Sequence, residues 1–234
     1  MKKFLIFVLL TLITATAFVG HQRVKGQDTN TSSFSETIEK KYYPINTIIR
    51  NIQIGKHDFW IPDSYKLGPY NSSDLKQKNL LLQVLLPDLE PRTRDNIKEF
   101  TEGLGWGRRS QILIHDLSQR TDIDFVFNVI IKRYPSYADL EPKFGLRHKR
   151  ATNKKEGLGN LHEELFIEEL NGEKESFILC RPYAKDPGCT HHFEHEGLYV
   201  KISYGKTYLE QWKQTQNKTV SLLQTFKHQP MEGN

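Results

Sequence analysis

The sequence predicts an α+β fold in which antiparallel β-sheet dominates, with a C-terminal helix and one shorter helix packed on one side. Three observations carry this. Residues 161–170 and a run ending at 176–180 flank Asn171 and Gly172, and an Asn-Gly pair between β-rich runs is the strongest short-range hairpin signal, because both turn positions need positive φ. Two further runs, 190–193 and 198–204, follow with Gly197 between them, which makes a four-strand meander. A capping box, Thr207 and Glu210, then opens a helix to about Phe226, in which Leu209, Trp212, Thr219, Leu223 and Phe226 fall on one stripe at 3.6 residues per turn.

Taken in order, the chain begins with Lys2 and Lys3 before an uncharged apolar run at 4–19, where Ala15 and Ala17 suit an Ala-x-Ala cleavage site. Residues 1–19 therefore read as a signal peptide or N-terminal anchor; the run is short for a membrane span, which needs about 20 residues. Residues 20–41 are polar without apolar periodicity and read as a flexible tether. Residues 42–228 read as a single α+β domain. Residues 45–54 and 57–61 pair around Gly55 and Lys56, and Pro62 ends the second strand because it cannot donate to a ladder. Residues 70–78 make a polar loop, and 79–86 is apolar enough for a central strand buried on both faces. A short helix over 91–100 has Thr93 as N-cap and Ile97 and Phe100 on one face. Gly103, Gly105 and Gly107 carry Trp106 through an irregular turn. Strands are expected at 110–117 and at 124–133, the latter on its β-branched and aromatic content. Residues 146–159, basic and turn-rich, read as an exposed loop.

Cys180 and Cys189 are the two cysteines, and the turn formers between them let the chain reverse and bring the sulfurs together. In an exported chain such a pair oxidises rather than binding metal. Lys and Arg number 33 against 28 Asp and Glu, a net charge of +5; losing the leader removes Lys2 and Lys3 and no acid. So mild a balance favours an acidic protein partner only weakly, and nucleic acid is not expected.

The most tempting cluster for chemistry is His191, His192 and His195 with Glu194 and Glu196. On a helix His191 and His195 would share a face and could chelate zinc; on a strand they lie too far apart for one tetrahedral ion, and the cluster is a solvated hairpin tip. The strand reading is preferred, with an exported metal-dependent hydrolase as its alternative. His162, Glu163 and Glu164 start like a zincin motif, but Phe166 stands where the second histidine belongs. Gly205, Lys206 and Thr207 mimic a phosphate-binding loop with Val200 in place of its first glycine. The Gly103–Gly107 spacing follows a helix rather than a strand and is no dinucleotide fingerprint. No Gly-x-Ser-x-Gly elbow occurs. Neither catalytic residues nor a cofactor are expected. Arg147, His148, Lys149 and Arg150 with Lys154 and Lys155 could dock an acidic partner or anionic lipid head groups, though a solvated loop is the preferred reading; Trp60, Trp106 and Trp212 suit a core better than a binding surface, and of the three the best candidate for exposure and contact is Trp106. Asn30, Asn71 and Asn217 begin Asn-x-Ser/Thr triplets, without meaning in a bacterial chain.

The string FWIPDSY at 59–65, LPDLEP at 86–91 with Thr93 and Asn96, the paired cysteines, and Leu209 with Trp212 occur in an order that resembles a group of small exported proteins of Gram-negative bacteria. Members of that group are similar to immunity proteins that neutralise effectors delivered by neighbours through a type VI secretion system. The resemblance implies a periplasmic inhibitor, soluble or held by its N-terminal helix, that binds one cognate toxin without catalysis. No lipid-modified cysteine follows the apolar run, so the mode of anchoring stays open. A structural envelope accessory protein with no toxin partner is a further alternative.

Overall fold

The computed structural model describes residues 48–65, 76–102, 105–117, 122–134, 136–152, 163–181 and 185–228. The expected leader at 1–19, the tether at 20–41, Lys154, Lys155, Asn30 and Asn71 lie outside the described residues. Strands β1 (Ile49–Ile54) and β2 (His57–Pro62) pair antiparallel, and β3 (Lys76–Gln77) joins β1 in parallel. Next come β4 (Asn79–Leu85), helix α1 (Ile97–Thr101), β5 (Arg109–Asp116), helix α2 (Ile123–Ile131), β6 (Tyr137–Lys143), β7 (Leu146–Ala151) and β8 (Glu164–Leu170). Strands β9 (Glu173–Arg181), β10 (Gly188–His195) and β11 (Leu198–Gly205) follow, then a 3-10 turn at Lys206–Gln211 and helix α3 (Trp212–Phe226).

Eight strands form one antiparallel sheet in the order β4-β5-β11-β10-β9-β8-β7-β6. After β5 the chain crosses through α2 to the far edge and walks back strand by strand, so the expected four-strand meander is the last part of a six-strand one. Its hairpins depend on two-residue turns with positive φ at both positions: Asn171 and Gly172 at 54° and 85°, and Phe144 and Gly145 at 56° and 76°. This geometry matches the strands' right-handed twist. Cys180 and Cys189 face each other across β9 and β10 and are joined by a disulfide.

Alternation sorts the side chains onto two faces. One face carries Leu82, Val84, Ile112, Ile114, Val200, Ile202, Phe193 and Ile178, all under 2% exposed. It packs against Ile54, Phe59 and Ile61 of the small sheet and against Trp212, Leu223 and Phe226 of α3. The predicted stripe of Leu209, Trp212, Thr219, Leu223 and Phe226 is buried throughout, and Thr215, which that stripe leaves out, is buried beside it. Each such aliphatic or aromatic side chain stabilises the fold by roughly 1.5–3 kcal/mol. On the opposite face Leu165, Ile167, Phe177 and Leu179 pack against Ile123, Val126, Phe127, Ile130 and Ile131 of α2.

Several sequence expectations are corrected. Residues 123–131 form helix α2 rather than a strand: Asp122 caps it by accepting from Phe125 N at 2.7 Å, and its packed residues recur at helical spacing. β-Propensity yields here to tertiary packing and a good cap. The basic run from 146 is strand β7, not a loop, and β6 precedes it. Strand β4, expected to be central, lies at the edge of the large sheet although its side chains are buried. The capping box does not form; the 3-10 turn follows Gly205 without a side-chain cap. Thr93 does cap, its Oγ1 accepting from Asn96 N at 3.3 Å while Asn96 Oδ1 accepts from Thr93 N at 2.8 Å, though α1 itself starts at Ile97.

The disulfide joins residues nine apart, for which loop-closure entropy gives about 2.5–3 kcal/mol. Urea unfolding with and without reductant, and of a Cys180→Ala/Cys189→Ala variant, should show that loss; equal midpoints would refute it.

Candidate partner-binding face

The histidine cluster lies on β10, and the strand separates its members. His191 and His192 are 0% and 4% exposed, so the cluster is not a solvated tip. His191 faces α3, edge-on to Trp212 at 5.6 Å. His192 faces the other way, stacked on Phe177 at 4.4 Å, with Nδ1 at 2.5 Å from Tyr199 OH and Nε2 at 3.0 Å from Thr190 Oγ1. His195 shares the His191 face but stands four strand residues on, about 13 Å away, with Phe193 between. The three histidines do not converge, and among the described residues no group of three or more His, Cys, Asp or Glu side chains could hold a metal ion.

The basic run is absorbed by the protein itself. Arg147 meets Asp139 and Glu169 at 3.2 Å each, and Lys149 also meets Asp139 at 3.2 Å. Glu164, 8% exposed at its side chain, takes Arg150 at 3.0 Å and Lys206 at 2.8 Å. Burial pushes the Glu164 carboxyl up, but hydrogen bonds from Lys206 and Arg150 outweigh it and hold it below the usual carboxylate range. This buried junction ties β7, β8 and the turn before α3 together.

Among the described residues, half of one sheet face has no helix packed on it. Helix α2 covers β8 and β9, but towards β4 the same face carries a cross-strand row of polar side chains: Gln83, Gln111, Ser203 and Thr190 stand opposite one another on β4, β5, β11 and β10. The next row holds Leu81, Leu113, Lys201 and His192. Gln83 and Ser203 in the polar row are only 8% and 9% exposed, while Gln111 and Thr190 are half-buried; burying polar groups is costly unless they find partners.

Trp106 forms one wall. Its turn is pinned: Arg109 N donates to Trp106 O at 2.9 Å, the Arg109 guanidinium donates to Gly105 O and to Phe100 O, and Arg108 Nε donates to Leu86 O at 2.7 Å. The half-buried indole lies over Gly188 and Gly205, which face each other across β10 and β11. A Cβ at Gly205 would sit 2.9 Å from Trp106 Cβ, and one at Gly188 would run into the ring; only glycine at both positions leaves the sheet flat enough. Two adjoining hollows of about 360 Å³ each share Trp106 and Asp186; one reaches Gln83 and Gln111, the other Arg133, Lys201 and Thr190. The sequence pointed to Trp106 through its glycine-rich turn. Nothing local marked its floor, which is assembled from four strands.

No protein-family model matches the chain, and no curated protein sequence matches it. Its fold is similar to that of Smlt3025, an immunity protein of the Stenotrophomonas maltophilia type IV secretion system, at 14% identity and a TM-score of 0.59 over 81% of this chain and 99% of that one. It is also similar to the Neisseria meningitidis iron-regulated outer membrane lipoprotein FrpD, at 11% identity and a TM-score of 0.50 over 76% of this chain and 92% of that one. At these identities the likeness is one of fold. Among the described residues no helix is long and apolar enough to cross a membrane.

Two outcomes are expected. Burial drives His191 down to about 3, and burial together with the neighbouring His191, Lys201 and Arg133 does the same to His192. The unfolded chain protonates these rings near 6.5 while the folded one cannot, so stability falls as pH drops from 6.5 towards 3, by up to about 1.4 kcal/mol per pH unit per ring. Neither nitrogen of His191 has a hydrogen-bond partner among the described residues. Urea midpoints of His191→Leu should therefore match wild type at pH 7 and decline less steeply in acid; parallel acid limbs would refute the assignment. Gly205→Ala should displace Trp106, costing about 1–3 kcal/mol and shifting tryptophan emission to the red; unchanged emission would show that the indole does not rest there.

Proposed function

We propose that this protein is a periplasmic immunity protein: it binds a cognate toxic effector delivered by a neighbouring cell and neutralises it by occlusion, without catalysis and without a cofactor. The observation that carries the reading is the half-covered sheet face, where a pinned tryptophan stands beside a polar floor. Half-exposed tryptophans in well-defined hollows are typical anchors of protein interfaces. Occlusion needs complementary shape and charge held rigidly, not a reactive group, and a disulfide-stapled sheet supplies that rigidity.

The apolar run at 4–19 and the disulfide support an exported location, soluble after cleavage or held at the inner membrane by the N-terminal helix. Sharing a fold with a secretion-system immunity protein supports the class of activity. The motif resemblance points to effectors of a type VI system, whereas Smlt3025 belongs to a type IV system, so the delivery route is a separate question from the mode of neutralisation. A second reading, a structural accessory of the envelope, draws on the fold shared with an outer membrane lipoprotein.

The test is co-expression with the product of the neighbouring gene, directed to the periplasm of a host bacterium. The immunity reading expects the toxic product to kill alone and the full chain to restore growth. Trp106→Ala should lose about 2–4 kcal/mol of binding, roughly 30- to 1,000-fold in affinity, and with it protection. Loss of viability despite abundant, folded wild-type protein would count against immunity and for the accessory reading.

A further inference from the structure

We propose that the hollow between Trp106 and helix α2 is the receptor for an acidic, extended segment of the protein partner, with a carboxylate seated between Lys201 and Arg133 and an apolar neighbour laid on the indole. This rests on the immunity reading for the existence of a protein partner.

The argument begins with charge pairing. On strands β7 to β11 every lysine or arginine except Lys201 meets a carboxylate: Arg147 and Lys149 meet Asp139, Arg150 meets Glu164, Lys174 meets Asp124 and Arg181 meets Glu163. Lys201 projects from β11 into the hollow and meets none among the described residues. Arg133, just beyond α2, lines the same hollow and is likewise without a carboxylate. Burial keeps His192 beside them uncharged, and the two cations on this lining make that end of the hollow positive. Two further charges line it: Arg181, which meets Glu163, and Asp186, exposed and shared with the hollow on the other side of Trp106.

Shape selects a segment of chain over a small ion. The floor continues from Lys201 past Thr190 to Gln111, whose half-buried hydroxyl and amide can both donate to and accept from a peptide backbone, with Ser203 and Gln83 largely buried in the same row at 9% and 8% exposure. Across four strands that row spans about 14 Å, the length of about four extended residues. Leu81, Leu113 and the indole, each half-buried, offer apolar contact alongside. A Lys–Arg pair beside an aromatic wall suits a carboxylate flanked by an apolar side chain.

The test is a ¹⁵N–¹H NMR titration of the full chain with the capped peptide Ac-Gly-Glu-Leu-Glu-Tyr-Gly-amide, its glutamine counterpart, and inorganic phosphate, each to millimolar concentration. Expected are saturating shifts at the Trp106 indole N–H and the Lys201 and Thr190 amides with the acidic peptide, and at least tenfold weaker binding of the glutamine peptide. Lys201→Glu or Arg133→Glu, checked for an intact spectrum, should likewise weaken binding at least tenfold. No shift near Trp106, equal binding of the glutamine peptide, or phosphate reproducing the shifts at similar affinity would overturn the proposal, the last in favour of a small-anion pocket. The co-expression assay separates this from the immunity reading. If wild type protects and both charge-reversal variants protect equally, the hollow is not the receptor while immunity stands. If wild type does not protect, immunity falls, and the titration still decides whether the hollow takes acidic peptides.

Discussion

The register of β9, β10 and β11 is the constraint on which the other features depend. Side chains alternate with a period of two, so a slip of one residue would exchange the faces of a whole strand. In the observed register Cys180 meets Cys189, Gly188 meets Gly205 and Thr190 meets Ser203. A slip of β10 would separate the sulfurs, take away the paired glycines that receive Trp106, and turn Thr190 into the core. The tight Glu196–Gly197 turn, with φ of 51° and 79°, sets the β10–β11 side of this register. The Cys180–Cys189 bond clamps the other, where the connection between β9 and β10 is too long to fix the pairing itself.

The two faces solve the burial problem differently. The face under α3 is a continuous apolar core and tolerates a histidine only by keeping it neutral. The opposite face is apolar where α2 lies and more polar on the half where the Trp106 turn packs, with Gln83, Ser203 and Thr190 in place of the leucines and isoleucines of the neighbouring half. The crossover between β5 and β6 explains the division: one short helix packs on β8 and β9 and is too short to cover β4 and β5 as well. The division thus follows from topology, since among the described residues helix α2 packs on only part of this face.

Local signals made much of this legible in the sequence. The Asn171–Gly172 turn, the strand-ending Pro62, the spaced cysteines and the α3 stripe each express their structure within a few residues. Helix α2 was hidden because Phe125 and Val129 are apolar yet exposed, which blurred the stripe formed by Ile123, Val126, Phe127 and Ile130. The β6–β7 hairpin was hidden because its turn places Phe144, an unusual residue for positive φ, where asparagine is usual. Charge on β7 resembled a solvated loop until the partners Asp139, Glu169 and Glu164 came from other strands. Trp106 stood out by its glycines, but its floor draws on residues as distant in sequence as Gln83 and Ser203, and no spacing rule reaches that far.

Strand β6 ends the large sheet, and its composition bears on how the molecule lives among copies of itself. Asp139, Glu141 and Lys143 alternate along it, Pro142 withholds an amide hydrogen, and its pairing with β7 is irregular between Leu140 and Lys143. An edge with these properties, unpaired among the described residues, repels a ninth strand. A crowded compartment could therefore hold this protein at high concentration without the sheets joining end to end into fibres, and the meander stays a closed unit.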